Sequence, residues 1–300
     1  MIIPTFNAED TILKALQSVL TQDLKPLEIL VVDDASTDGT LLQVASVTDE
    51  RIRVIGLTKN CGPGGARNAG LKAARGEYVA FLDADDWWLE AKLSKQYALM
   101  RADSKVVLAT CDSVYRTPEG EFKRRSHEFL PPNSGPEAWK TLLAYNFMPT
   151  PTVMARREVL QAVGGFNPEL EFGEDLDLWI RVCLRGEVAV VPEVLVEIVE
   201  WPGSLTGTIR HTQPEYVIPF ITRYMEAQSE HLSASEVRAI RGRRYYESGT
   251  VLFYGGHTLA SLRYFMVAAG LGYRTLKSLI FIPKAVLSLV SMGRYPGTEH

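Results

Sequence analysis

Cysteine is scarce in this chain of 300 residues, which holds only Cys61, Cys111 and Cys183. They are far apart, odd in number and without CxxC spacing. That excludes a disulfide framework and a cysteine-based zinc site, and it fits a reducing compartment. Long apolar runs are also missing. The longest, LIFIPKAVLSLV at 279–290, is too short to span a bilayer and contains Pro283 and Lys284. The opening residues MIIPTFNAED carry neither a basic n-region nor a long apolar h-region, so no signal peptide and a cytoplasmic location are expected. Nor is there an excess of positive charge. With 32 Lys and Arg against 36 Asp and Glu, the net charge of −4 argues against a general nucleic-acid binder. Repeats and low-complexity tracts are absent.

What is present suits a folded α/β protein. Apolar residues make up 46% and charged residues 23%, ordinary values for a globular chain able to bury a full core. The first hundred residues alternate regularly. MIIPTFN, LEILVVDD, IRVIGL and EYVAFLD read as strands. AEDTILKALQSVLTQ, with Ile12, Ala15, Leu16, Val19 and Leu20 at helical spacing and an acidic first turn, reads as a helix. STDGTLLQVASV is a capped helix, and GPGGARNAGLKAAR a glycine-rich loop entering another. Continuously apolar strands alternating with helices indicate a mostly parallel sheet covered on both faces. From about 105 to 210 shorter strands mix with helices (VVLATCDSVYR, EAWKTLLAYN, RREVLQAVGG, EDLDLWIRVCLRG), and from about 214 the pattern is helical. The expected division is a catalytic domain over 1–212 and a helical extension over 213–300.

Three acidic clusters stand out. FLDADD places Asp83, Asp85 and Asp86 where a buried strand ends. Asp favours turns, but carboxylates this crowded repel unless a cation or shifted pKa values relieve them, and Mg²⁺ or Mn²⁺ binds one or two carboxylates together with substrate phosphates. VVDDASTDGT ends a second strand in Asp33 and Asp34. Either Asp34 or Ser36 caps the next helix, or the aspartates accept hydrogen bonds from a nucleobase or ribose. Ligands in open α/β sheets bind beyond the carboxyl ends of strands, so both clusters converge on one crevice. Arg67 in KNCGPGGARNAG is a fork donor for a phosphate, or else a structural ion pair for Asp33 or Asp83. That stretch is neither GxxxxGK[ST] nor a true GxGxxG. In FGEDLDLWIRV, Leu176, Trp179, Ile180 and Val182 make a core stripe, while Glu174 and Asp175 sit at a helix N-terminus, where carboxylates are favoured in any case.

Taken together, IIPTFNAEDTILKALQSVLTQ, EILVVDDASTDGT, NCGPGGARNAGLKAARGEYVAFLDADD and GGFNPELEFGEDLDLWIRV resemble, in order, the motifs of family 2 glycosyltransferases, over roughly residues 1–207. The resemblance implies the GT-A fold and inverting transfer of one sugar from a nucleotide-diphosphate donor, UDP being the commonest, to a saccharide or lipid-linked saccharide. It implies Pro4 and Phe6 at the nucleobase, Asp33 and Asp34 at base or ribose, Arg67 and Asp83 at the donor, Asp85 with Asp83 as ligands of Mn²⁺ or Mg²⁺, and Asp175 as catalytic base. Members of the family carry several more apolar residues before IIPT, so strand one is shortened here. EWPGSLTG differs from the usual RxHPGSLS, with Val199 at the Arg position and Trp201 at the His position; His211 is a stand-in for the missing contact. QxxRW is absent, which favours single transfer over processive synthesis.

Two rival readings are weaker. A nucleotidyltransferase needs a GxGTR-type loop after strand one, where this chain has PTFNAED. A degenerate member that binds nucleotide or saccharide without turnover is disfavoured by Asp34, Asp83, Asp85 and Asp175. Between 235 and 295 nine Lys or Arg face two acids. With the neighbouring apolar residues this reads either as a helical cap or as a peripheral contact with anionic lipid, where each basic residue adds about 1 kcal/mol.

Overall fold

Ile2–Thr5 (β1), Ile29–Asp33 (β2) and Ile52–Gly56 (β3) pair in parallel in the order β1-β2-β3 in the computed structural model, which describes residues 1–170, 172–201 and 213–274. β1 and β2 are wholly buried, so their unbroken apolar character is what a sheet covered on both faces demands. Burying side chains such as Ile3, Leu30 and Val31 contributes about 1.5–3 kcal/mol each. β3 is the edge strand and is partly exposed along its length. Helix α1 (Ile12–Leu20) buries Ile12, Ala15, Leu16 and Val19. Its first turn contains no acid; Glu9 instead lies ahead of the helix and accepts the backbone N–H of Gly39 at 2.5 Å, fastening the loop after β1 to the start of α2 (Thr40–Ala45).

The glycine-rich stretch is already helical from Gly62, as α3 (Gly62–Ala73) with Pro63 in its first turn, rather than a loop entering a helix. Glycine at position 70 serves close packing: a Cβ there would lie 2.7 Å from Ile2 Cγ2, so its absence lets α3 press on β1.

The remaining strands form a mixed sheet. β4 (Tyr78–Ala80), β8 (Met154–Arg156), β6 (Val106–Arg116), β9 (Glu187–Val199) and β5 (Trp87–Trp88) lie in the order β4-β8-β6-β9-β5, with β7 (Phe122–Arg125) paired to β6. Only β6 and β9 run parallel here; β4–β8, β6–β8, β5–β9 and β6–β7 are antiparallel. A parallel bridge from Ile2 to Phe81 joins the two sheets. The sheet is therefore parallel on the side of β1–β3 and mixed beyond it, as the α/β reading holds for the first hundred residues and short returning strands follow. Between the strands lie α4 (Lys92–Ala102), the single turn α5 (Ser126–Phe129), α6 (Ala138–Ala144), α7 (Arg157–Ala162) and α8 (Glu174–Cys183).

The chain divides into two compact units: residues 1–142 with 146–201, and Leu143–Tyr145 with the residues from Pro202 on. In the second, the described helices are α9 (Gln213–Ala227), α10 (Ala234–Tyr254) and α11 (Thr258–Gly270). Ser233 and Glu236 form a capping box at the start of α10. Tyr246, Phe265 and Ala268 make the core of this unit. Arg244 Nε donates to the Leu143 carbonyl at 2.7 Å, and the Arg243 guanidinium lies 3.4 Å from the Tyr145 ring centre. Among the described residues no helix is long and apolar enough to cross a membrane. The PGSLTG portion of the altered loop, His211 and the apolar run 279–290 lie outside the described residues.

Candidate active site

Strand ends bring the acidic clusters together. β1 and β2 are neighbours, with Thr5 opposite Asp33, so Phe6 and Asp34 emerge side by side. Pro4 is buried within β1, whereas Phe6 is 49% exposed at its end and offers a free aromatic face. The two loops are knitted tightly: Asn7 Oδ1 accepts Thr37 N at 2.8 Å, and Ser36 Oγ accepts Asn7 N at 3.0 Å. Asn7 and Ala35 both adopt positive φ, 48° and 64°. For Ala35, which has no side-chain polar group to compensate, that is backbone strain of the kind stored at functional sites. Asp33 and Asp34 are both buried. Asp33 accepts Ser36 N, and Asp34 Oδ1 accepts Cys61 N at 2.7 Å, holding the residue that precedes α3. Asp34 thus serves the start of α3 rather than that of α2, the helix that follows it.

The second cluster follows β4. The guanidinium of Arg67, buried in α3, donates to Asp83 Oδ1 at 2.6 Å and to Glu174 Oε1 at 3.2 Å. Burial opposes the charge of Arg67, but Asp83 and Glu174 outweigh it and raise its pKa further. Arg67 is therefore an ion-pair clamp between the DAD segment and α8, and both its terminal nitrogens are engaged. Asp85 stands partly buried beside them; burial, then the charge of Asp83, push its pKa up to about 6. Asp86, the third acid, turns inward: its Oδ1 accepts Val199 N at 2.9 Å, and burial with the charges of Asp85 and Asp83 holds its pKa well above the carboxylate range. It ties the segment after β4 to the end of β9, where the altered loop begins.

Asp175 completes the group on the first turn of α8. Burial, then the adjacent Glu174, lift its pKa to about 7, while hydrogen bonds from Leu176 N (2.6 Å) and Asn146 Nδ2 (2.9 Å) pull the other way. Beneath it, Phe81, Phe166 and Trp179 pack ring to ring with centres 5.6–6.0 Å apart, and Asn68 clips both backbone groups of Phe166 (2.7 and 2.8 Å). Trp179 is fully buried in this cluster.

Around Arg67 the structure thus gathers Asp83, Glu174 and, by its electrostatic influence, Asp175. Pro4, Phe6, Asp33 and Asp34 lie at the ends of β1 and β2. Among the described residues no three His, Cys, Asp or Glu side chains are arranged to hold a metal by themselves. Two carboxylates, Asp83 and Asp85, remain after Asp86 turns away. Such a pair fits a divalent cation whose other ligands are phosphate oxygens. Asn146 was not legible as a site residue, and Asp86 was not legible as the acid of the cluster that turns inward. Asn146, in YNFMPTPT, lies 29 residues from the carboxylate it touches and has no local motif.

Comparison with known proteins identifies the family. The chain is 49% identical to the succinoglycan biosynthesis protein ExoO of Rhizobium meliloti over 82% of this chain and 74% of that one. It is 42% identical to the UDP-Glc:alpha-D-GlcNAc-diphosphoundecaprenol beta-1,3-glucosyltransferase WfaP of Escherichia coli, over 62% of this chain and 70% of that one. Among solved structures, the mannosyltransferase PcManGT of Pyrobaculum calidifontis, in complex with GDP-Man and Mn²⁺, superposes with a TM-score of 0.62 at 21% identity over 96% of this chain and 79% of that one, a likeness of GT-A fold. Glycosyl transferase family 2 matches residues 1–164, more than half of the chain, and with these relatives it establishes that the protein is a glycosyltransferase of family 2.

Proposed function

We propose that the protein transfers one hexosyl or N-acetylhexosaminyl unit, with inversion, from a UDP-linked donor to a saccharide carried on a lipid diphosphate, Asp175 acting as base. The observation that carries this reading is the pair of environments joined by Arg67: Asp83 on one side, and on the other the α8 turn with Glu174 and a carboxyl whose pKa of about 7 suits a base. The UDP and lipid-diphosphate parts rest on the activity named for WfaP.

Phe6 stacks on the uracil, and Asp33 and Asp34 take hydrogen bonds from base or ribose. Asp85 and Asp83 would hold a divalent cation at the donor diphosphate, and the fold neighbour PcManGT is a complex with GDP-Man and Mn²⁺. When bound, the cation supplies Lewis-acid neutralisation of the leaving diphosphate. Asp175 takes the proton of the acceptor hydroxyl as its oxygen bonds to the anomeric carbon; the bond from that carbon to the diphosphate oxygen breaks on the opposite face and carries its electron pair away. General-base help of this kind contributes about 10²–10⁴-fold. In the helical unit, the exposed Leu259 and Met266 flank Arg263 on one side of α11, a surface suited to rest on anionic lipid at the inner face of the membrane, where such acceptors are held.

The test is titration calorimetry with UDP, GDP and dTDP, each with and without Mn²⁺. Metal-dependent binding of UDP alone supports the reading. Binding of none of them, with no transfer, favours a member that has lost turnover.

A further inference from the structure

We infer that Asn146 is the positioning residue of the catalytic base, holding the carboxylate of Asp175 in one orientation through a side-chain amide that is itself locked to the backbone. The inference rests on the reading of Asp175 as base. Asn146 Nδ2 donates to Asp175 Oδ2 at 2.9 Å, while Asn146 Oδ1 accepts Met148 N at 3.0 Å. These two partners fix the amide's orientation without ambiguity. A backbone N–H needs an acceptor and a carboxylate needs a donor, so the oxygen must face Met148 and the nitrogen Asp175. The other carboxylate oxygen, Oδ1, is met by Leu176 N at 2.6 Å. Each oxygen of Asp175 thus has one donor from the protein and keeps lone pairs for a substrate hydroxyl.

A base needs this restraint. A carboxylate on the first turn of a helix rotates about its χ angles, and productive proton transfer requires the acceptor oxygen within hydrogen-bond reach of the hydroxyl. Glu174 beside it repels its charge, Arg67 from α3 attracts it, and the Tyr115 phenol of β6 feels its charge. None of these three makes a hydrogen bond with it; among the described residues Asn146 is the side chain that does. The amide also stabilises the ionised form, keeping the base available near neutral pH although burial works against it.

Asn146→Asp isolates the donor. It keeps the shape and the acceptor for Met148 N, and it turns the group facing Asp175 from a donor into a like charge. Asn146→Ala removes both bonds. Two readouts are taken on the full chain: steady-state transfer as a function of pH, and titration of the Asp175 carboxyl by carbon-13 NMR of aspartate-labelled protein, its signal assigned by loss in Asp175→Asn. Both variants are expected to move the Asp175 midpoint upward, Asn146→Asp the further. The acidic limb of kcat/KM should follow it, and kcat should fall on the order of 10²-fold while UDP affinity stays within about twofold. An unmoved midpoint in both variants, or a loss of UDP affinity with kcat intact, overturns the inference. If Asn146→Ala does not fold, Asn146→Asp decides alone. If the wild-type protein transfers no sugar from any donor, the proposed function fails, and the NMR midpoint still judges Asn146.

Discussion

The strand-rich unit and the helical unit handle charge in opposite ways. In the first, negative charge is drawn inward and each carboxylate has a named holder: Cys61 N for Asp34, Arg67 for Asp83 and Glu174, Val199 N for Asp86, Asn146 for Asp175. Asp85 is the exception: among the described residues no cationic side chain forms an ion pair with it, and burial, then the charge of Asp83, raise its pKa. In the second, most of the described positive charge is turned outward, with Arg238, Arg241, Arg263 and Arg274 exposed beside apolar side chains at Leu259 and Met266, while Arg244 is buried on the Leu143 carbonyl. Buried charge must be paired, whereas exposed charge costs little. The first pattern is that of charge preorganised inside the fold, the second that of a surface.

Breaking the clamp tests the first pattern most severely. Arg67→Ala leaves Asp83 and Glu174 without their cation and is expected to destabilise the protein by about 3–5 kcal/mol in chemical unfolding, the cost of removing one partner of a buried pair. Next is Asp85→Ala. In the wild type, UDP with Mn²⁺ at 100 times its dissociation constant should stabilise the fold by about 2.7 kcal/mol, read as a rise in Tm, and the variant should lose that rise.

A smaller effect follows from the raised carboxyls. Asp85 and Asp175 have folded pKa values of about 6 and about 7, above the ordinary 3.8. The folded state therefore holds protons that the unfolded chain releases, so stability is favoured at low pH and lost as pH rises from about 4 to 7. The Tm of the ligand-free protein should fall across that window, and Asp85→Asn should flatten the slope. The smallest effect on stability belongs to the second pattern. Leu259→Glu with Met266→Glu should shift stability by no more than about 0.5 kcal/mol per site, as exposed positions do, yet abolish flotation with anionic vesicles. Wild-type protein that ignores such vesicles would remove the membrane part of the comparison.

How much of this could be read in advance depended on distance along the chain. The parallel β1–β3 sheet was legible because buried strands there are continuous apolar runs, and DADD was legible because carboxylates crowd where one of them ends. α8 carried its own stripe and acidic first turn. The mixed sheet was less so: β8 is three residues long and β5 two, too short for periodicity to speak. In sequence Arg67 reads equally as a phosphate donor or an ion pair, and its geometry is that of an ion pair reaching a glutamate 107 residues away. Asp86 looked equivalent to Asp85 in the sequence; only a backbone N–H 113 residues on distinguishes them. Glycines 64 and 70 both face protein, Glu174 and Ile2, contacts that no local pattern announces.

The most direct test of the central claim, that donor binding and base catalysis are separate tasks of separate carboxylates, is to measure Mn²⁺-dependent UDP affinity and the transfer rate in Asp175→Asn beside Asp85→Asn. Asp175→Asn is predicted to bind UDP as the wild type does while transfer falls about 10²–10⁴-fold, and Asp85→Asn to lose metal-dependent binding itself. Normal transfer by Asp175→Asn, or a loss of UDP binding matching that of Asp85→Asn, would contradict the account.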